Sequence, residues 1–469
     1  MTVTPGFTNM FKGTLPQLSA VLAGTLCALS DGMHYGWTAP VIPILMSPDS
    51  PVPITKHQGE WLENIYVIGA AIGLWPTMLL VDKIGRKKSI LLACFLSVLV
   101  WITIALAPSV EYMLVARAFA GAAGNMAFVA TPMYIAEIAD QKIRGFLSSL
   151  IYLMMLCGIL LIYCIAPFFP IYVPCFLGAV LVFIELIWFS FVPDSPYYLI
   201  IKNQTESARN ALRRLRQNES GIEEELKQIK LAVDRQRTER ARFLDLFVIP
   251  SNRKALFIMA YLNFAQHFSS VSVLLMNMHI ILAQAGSIYM DPHTTAIVFS
   301  GIMLVAATTG SFLIDKFGRK FLLISSGIST AFCLLTIAIY FNLKNDGFNT
   351  INFSWIPIAC VMIYAFTFKL GLGMVPIVIT AEIFPTTVKA YGMALADGSY
   401  TISSFLSLQV YQRLTESFGV QYPFYIFTVF CLSTVFFTYF VIPETKGKTL
   451  DEIQMILKGE YNKNKSEKI

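Results

Sequence analysis

The sequence predicts an all-α integral membrane protein: twelve transmembrane helices arranged as two pseudo-symmetric six-helix bundles. Composition, the spacing of apolar runs and a repeat at half the chain length carry that reading. With 56% hydrophobic and only 14% charged residues over 469 positions, and a mean hydropathy of +0.62, there is too little polar surface to cover a body of this size in water. Lipid must be part of its solvent.

Twelve apolar runs follow, each near the ~20 residues a helix needs to cross ~30 Å of hydrocarbon. They lie at 16–37, 61–81, 89–107, 112–136, 146–167, 171–192, 255–283, 294–314, 321–342, 354–381, 389–411 and 422–442. Helices suit them because amides in lipid must be satisfied within the segment, and the strict alternation of barrel strands is absent. The runs divide the chain into a bundle at 1–192, a cytoplasmic loop at 193–254, a second bundle at 255–442 and a cytoplasmic tail at 443–469. Gly, Pro and small residues in the first, fourth, seventh and tenth helices should permit local bending.

The repeat is explicit. Asp-Lys-x-Gly-Arg-Lys occurs at 82–87 and again at 315–320, each time at the polar break between the second and third runs of its half. PMYIAEIADQKIRG from 132 pairs with PIVITAEIFPTTVKAYG from 376, and VPDSP from 192 pairs with IPETKG from 442. A chain repeating membrane-loop-membrane patterns half a length apart is two fused copies of one bundle, an arrangement typical of transporters rather than enzymes.

Charge sets the orientation. Of 35 Lys and Arg, only Lys56, Lys344 and Arg413 fall in loops on one side, and Arg117 and Lys369 lie inside runs. The remainder crowd the other side, which places both termini, the duplicated loops and the central loop in the cytoplasm. The net charge of +6 is this cytoplasmic skirt rather than a nucleic-acid surface. The first run is too long for a removable signal peptide and is expected to stay as an anchor. All eight cysteines sit inside apolar runs and read as buried thiols. In the central loop, ESARNALRRLRQ (206–217) and IEEELKQIKLAVDRQ (222–236) have the spacing of amphipathic helices, either a latch between the bundles or a solvated linker. Asn352-Phe353-Ser354 is an outer-side sequon abutting a helix entry.

Taken in order, DKIGRKK, R-x-x-x-G-x-x-G from Arg117, PMYIAEI with IRG, PDSP, DKFGRK, AEIFP and PETKGKTLDE resemble the signature set of the sugar-porter branch of the major facilitator superfamily. The resemblance covers almost the whole chain and, within that branch, is closest to insect trehalose transporters and their glucose-facilitator relatives. It implies the major-facilitator fold and transport of trehalose or a hexose across the plasma membrane by alternating access. It implies a monomer whose partners are a saccharide and the lipid bilayer.

Acids and bases stand together at the cytoplasmic helix ends of both halves: Asp82 with Arg86, Glu137 with Arg144, Asp315 with Arg319, and Glu382 with Lys389. A purely topological role explains the Lys and Arg but not the acids. The resemblance implies inter-helix ion pairs in the outward-open state that break as the bundles rock apart. Each partly screened pair is worth only ~0–1 kcal/mol. Several together bias a two-state equilibrium by the few kcal/mol alternating access needs.

A path for a neutral sugar needs convergent amides, hydroxyls and an aromatic face, since each hydroxyl stripped of water must find a partner. Where the resemblance implies QQLSGIN in the seventh helix, this chain has Gln266, His267, Phe268, Ser269, Ser270, Val271 and Ser272. The first Gln survives, while His and Ser replace the second Gln and the Asn. Tyr152 replaces a Gln of the fifth helix, Met303 a polar residue of the eighth, and Met374 and Ile377 the first Pro and the Trp of a GPIPW pattern in the tenth. In the eleventh helix, Tyr400-Thr401 replaces Asn-Trp.

Three readings stay open. In the first, a retuned saccharide site uses Tyr152 and Tyr400 as stacking faces and Gln266, His267, Ser272 and Ser404 as hydrogen-bond partners. In the second, Lys369, at a position acidic in several relatives, meets a substrate with an anionic or carbonyl-rich end. Against that, Lys369 snorkels or pairs with Asp397 of the next helix. In the third, transport is lost and the protein acts as a sugar-binding sensor.

Symporters of the family pair a first-helix Asp with a fourth-helix Arg, and this chain has Asp31 and Arg117. Aligned on Ala39-Pro40, however, the family's position falls at Met33, and two residues turn a side chain by about 200°. Asp31 is therefore expected to face elsewhere, and facilitated diffusion is preferred to proton symport. His34 and His267 titrate near neutrality or serve as packing groups. Without a Walker loop, an HExxH or a nucleophile elbow, no catalytic residue, cofactor or metal is expected.

Overall fold

The computed structural model describes residues 14–458 apart from 141–142, 217–220, 239–242, 287, 386–387, 447 and 449. Among these there are helices and turns but no strand. They form two compact units, one within Met1–Trp37 and Ile44–Arg240, the other within Thr38–Pro43 and Ala241–Ile469.

The first unit begins with α1 (Leu15–Leu45), apart from its stretch Thr38–Pro43, and continues through α2 (Lys56–Ile84), α3 (Arg86–Ala105), α4 (Val110–Ile138), α5 (Arg144–Ile165) and α6 (Tyr172–Ser190). Short helices α7 (Pro196–Ile201), α8 (Thr205–Leu215) and α9 (Ile222–Thr238) follow. The second unit holds α10 (Asp245–Val248), α11 (Pro250–His267), α12 (Val271–Ala285), α13 (Pro292–Phe317), α14 (Arg319–Asn345), α15 (Trp355–Leu370), α16 (Val375–Ile383), α17 (Lys389–Ser417), α18 (Gln421–Phe440) and α19 (Leu450–Lys458).

Several helix starts have a local cause. Thr55 and Gln58 cap α2 reciprocally, Gln58 N donating to Thr55 Oγ1 at 3.3 Å and Thr55 N to Gln58 Oε1 at 2.9 Å. Asp291 Oδ2 accepts from Thr294 N at 2.9 Å ahead of Pro292, which opens α13. The duplicated Asp-Lys-x-Gly-Arg-Lys is a duplicated corner. Gly85 and Gly318 hold φ at +94° and +87°, a region nearly closed to side chains, and the Arg that follows begins the next helix.

Among the described residues, ten helical spans are long and apolar enough to cross a membrane. Those ten leave out α1 and α17, which at 31 and 29 residues are long enough but less apolar. In α1 the cause is a buried interior of Gln17, Thr25, Ser30, Asp31, His34 and Thr38. Apolar side chains such as Ile72, Trp75 and Leu79 on α2 and Val429, Phe436 and Phe440 on α18 point outward, as lipid-facing positions should.

The expected bending appears as outright interruption in two places. The seventh run is split at 268–270 into α11 and α12, with Ser270 at φ +76°, and the tenth is split at 371–374 into α15 and α16. Tyr364 OH donates to Ser269 O at 2.7 Å across the first break, and Leu372 N to Ser326 Oγ at 2.9 Å in the second. Pro40, Pro43 and Pro132 sit inside continuous helices. Sequence symmetry carries into packing: α2 lies on α4 and α3 on α6 in one unit, as α13 lies on α15 and α14 on α18 in the other. On the α2–α4 seam Gly121 leaves room for Tyr66 O only 1.9 Å from where a β-carbon would stand.

The loop after α6 folds onto its own unit. Leu199, Ile200, Ala208, Leu212, Leu226 and Ile229 make a small separate core. Arg216 pairs with Glu225 at 2.6 Å and donates to Ile138 O at 2.9 Å, while Gln17 Nε2 donates to Leu215 O at 3.4 Å. The cysteines need a correction: six are buried free thiols, but Cys157 and Cys164 on α5 are partly exposed. α5 presents one side outward, so a position inside an apolar run is not always interior.

Candidate functional site

In the second unit, polar side chains gather where α11 ends. Gln266 Nε2 donates to Gly373 O at 3.2 Å, so one carboxamide ties the two helix interruptions together. His267 Nδ1 lies 2.7 Å from Ser272 Oγ, and Ser272 Oγ 3.0 Å from Ser404 Oγ on α17. Tyr400 meets the His267 ring edge-on with centroids 4.2 Å apart. One helix turn back, Asn263 Nδ2 donates to Ala396 O at 2.7 Å and Ser399 Oγ at 3.0 Å. Five of the residues singled out in the sequence, Gln266, His267, Ser272, Tyr400 and Ser404, thus form one cluster of neutral amide, imidazole, hydroxyl and aromatic groups. Lys369 is buried at the end of α15, with Nζ 5.6 Å from the Phe368 ring centroid, and Asp397 is an exposed residue of α17. Tyr152 belongs to the first unit, half-buried on α5.

The first unit has its own buried polar core. Asp31 faces α2 and α4: Tyr66 OH donates to its Oδ1 at 2.7 Å, and Gly124 leaves it space. Arg117, fully buried, donates Nε to Leu62 O at 3.1 Å and Nη1 to His34 O at 2.6 Å. Its guanidinium stands 4.6 Å from the Tyr66 ring centroid, so Tyr66 links cation and acid. His34 stacks on Trp101 at 3.7 Å. A cavity of about 10 Å³, room for roughly one water, is lined by Cys27, Asp31, His34 and Ser97.

At the duplicated corners the charged pairs cross helices. Arg86 Nε donates to Glu137 Oε1 at 2.9 Å, while Arg86 to Asp82 is a 3.8 Å contact with an exposed carboxylate. Ser195 Oγ donates to the other Glu137 oxygen and caps α7 by accepting from Tyr198 N at 3.3 Å. In the second unit Arg319 Nη2 donates to Glu382 Oε1 at 2.8 Å, and Thr445 Oγ1 to Glu382 Oε2 at 2.6 Å. Glu444 spans the start of α14, accepting from Arg319 N and Lys320 N, each at 3.0 Å. Lys389 lies within electrostatic range of Glu382. The side chains of Arg144 and Asp315 fall outside the described residues.

Several participants escaped the sequence reading. Ser195 and Thr445 complete the two pairs; setting VPDSP against IPETKG places them at the same position, the signal that would have found them. Tyr364 and Ser326 hold the interruptions, and Asn263 ties α11 to α17. Glu185, fully buried on α6 beside Cys27 and Cys94, carried no motif.

Two bundles with matched corners, interrupted spans and a neutral polar cluster define a membrane transporter rather than an enzyme. The family model for sugar (and other) transporters matches residues 20–457, and the chain belongs to that family. It is 30% identical over 450 residues to a facilitated trehalose transporter Tret1-2 homolog of Drosophila sechellia, covering 95% of this chain and 92% of that protein. It is 27% identical over 445 residues to the facilitated trehalose transporter Tret1 of Bombyx mori, covering 94% and 86%. Among solved structures, the inward-open xylose transporter XylE of E. coli aligns with a TM-score of 0.77 at 21% identity, covering 94% of this chain and 99% of that one. The fold is therefore the twelve-helix major-facilitator fold.

Proposed function

We propose that this chain carries a neutral sugar, trehalose or a hexose, across the plasma membrane by facilitated diffusion, working as a monomer with both termini in the cytoplasm. The observation that supports this most is the cluster at the interrupted seventh span. Gln266, His267, Ser272 and Ser404 offer donors and acceptors without a formal charge, and Tyr400 adds an aromatic face. Such a set matches a polyol, whose hydroxyls each need a partner and whose apolar face stacks on a ring. The Arg86–Glu137 and Arg319–Glu382 pairs act as the cytoplasmic gate, holding one state until the bundles rock. Asp31, held by the Tyr66 hydroxyl, and Arg117, donating to backbone carbonyls, serve as structural ties.

Lys369 favours a second reading. A buried ammonium on a membrane helix is costly and suits a substrate with an anionic or carbonyl-rich end.

Counterflow in proteoliposomes with radiolabelled trehalose, glucose and a panel of polyols, with and without a pH gradient, separates these. Exchange of trehalose or glucose without a gradient is the expected result. Accumulation only under an imposed proton gradient overturns facilitated diffusion in favour of symport. Exchange restricted to an acidic substrate, and lost in Lys369→Met, moves the assignment to the second reading.

A further inference from the structure

Two of the five histidines in the chain meet at the end of the second unit opposite the Arg319 corner, and nothing in the transport site uses them. His279 lies on α12, and His293 is the second residue of α13. Their rings stand 4.9 Å apart by centroid, tilted by 46°. We propose that His279 and His293 form a two-imidazole site for a borderline divalent transition ion, zinc or nickel, that ties α12 to the start of α13.

The spacing carries the assignment. With nitrogen–zinc bonds of about 2.0–2.1 Å at a tetrahedral angle, two imidazoles sharing one ion have ring centroids roughly 5 Å apart. Imidazole is the ligand type such ions prefer, whereas calcium and magnesium prefer oxygen. His279 is buried, so its ring is held by packing, and His293 is only partly buried, which gives an ion a way in from the start of α13. Asp291, one residue before α13 and exposed, puts negative charge near that entrance. Water completes the coordination.

The site has a mechanical effect. α12 is a half-helix, separated from α11 by the break at 268–270 and from α13 by the turn at Gly286 (φ +68°). An ion shared with α13 restrains its free movement. That consequence rests on the transporter reading; the binding itself does not.

Binding is measured on the full-length chain, purified without a polyhistidine tag, by titration calorimetry with zinc chloride and nickel chloride and by metal analysis after dialysis. One ion per chain is expected. His279→Gln or His293→Gln should each weaken it by at least the ~10-fold that loss of even a supporting partner costs a metal site. His57→Gln, at an exposed histidine elsewhere, should leave it unchanged. No binding, binding that survives both substitutions, or binding abolished by His57→Gln overturns the proposal. In proteoliposomes, zinc should slow trehalose counterflow of the native chain but not of His293→Gln, a partly exposed position that tolerates replacement. Native counterflow indifferent to zinc that the protein demonstrably binds removes the clamping role. Absence of any counterflow instead fails the transporter reading and leaves the binding result standing.

Discussion

Arg86, Glu137 and Ser195 in the first unit and Arg319, Glu382 and Thr445 in the second set an arginine, a glutamate and a hydroxyl at the same three places, yet the helix start beside each is finished differently. At the first corner the Tyr198 ring covers Gly85, coming within 2.6 Å of where a β-carbon would stand, and its hydroxyl donates to Lys83 O at 3.1 Å. At the second, the Glu444 carboxylate takes that place and accepts from two backbone N–H groups. Asp194, the counterpart of Glu444, is one methylene shorter, and its Oδ1 finds no hydrogen-bond partner among the described residues. Duplication has kept the charged pair and let its support diverge.

The largest test removes the pair itself. Arg86→Ala leaves Glu137, and Arg319→Ala leaves Glu382, partly buried without its cation. The cost should be about 2 kcal/mol to the state containing the pair, between the values for exposed and buried pairs, or ~30-fold in its population. Exchange in proteoliposomes should slow while ligand affinity holds; lost affinity at an unchanged exchange rate contradicts a gating role.

The glycine corners come next. Gly85→Ala and Gly318→Ala both force a side chain into positive φ, about 1–2 kcal/mol each. Gly85→Ala also meets a ring, while Gly318→Ala meets only the movable end of Glu444. Thermal unfolding in detergent should rank Gly85→Ala as the worse, and Tyr198→Ala should recover part of the difference.

The two acids should then answer with opposite sign. Burial raises the Glu444 carboxyl, but hydrogen bonds from the N–H groups of Lys446, Arg319 and Lys320 outweigh it and leave it below the usual range. Burial dominates at Asp194 and holds it above, despite Lys87 nearby. A carboxyl lowered on folding adds stability above its unfolded pKa and loses it as pH falls; a raised one opposes folding once pH climbs through its folded pKa. At pH 7, Glu444→Gln should destabilise the chain by about 1 kcal/mol, as for a lost helix cap, and so lower the unfolding midpoint. Asp194→Asn should raise it by less, and both differences should shrink toward a pH of about 4. Two shifts of the same sign would erase the distinction drawn between the corners.

The smallest effect concerns the hydroxyls. Ser195→Ala loses both a bond to Glu137 and the cap of α7, about 1 kcal/mol. Thr445→Ala loses only its bond to Glu382, and a parallel urea or thermal series should show the smaller change there.

Much of this architecture is legible in the sequence because lipid imposes a coarse rule. An uninterrupted apolar run must become a helix, and a duplicated motif must become a duplicated corner. What the runs conceal is where a helix breaks. Residues 255–283 and 354–381 read as continuous, since Phe268 and Leu372 are as apolar as their neighbours, and the interruptions depend on Tyr364 and Ser326 reaching in from other helices. The candidate site was legible as far as its residues are close in sequence or aligned by the repeat. Tyr400 meets His267, and Ser404 meets Ser272, only through the packing of α17 on α11 and α12, which no single-helix pattern records. Glu185 stayed invisible for the opposite reason: a lone acid in an apolar run has no spacing to announce it.

Gly371 makes the tenth span dependent on a neighbour in sequence as well as in space. A β-carbon there would stand 2.1 Å from Ser326 Oγ and 2.2 Å from Leu322 O, so residues 371 and 326 cannot drift independently. Any enlargement at one must be answered by a retreat at the other. In motion the same crowding makes α14 and the bend a single lever: whatever tilts one end of the span drags the neighbouring helix along.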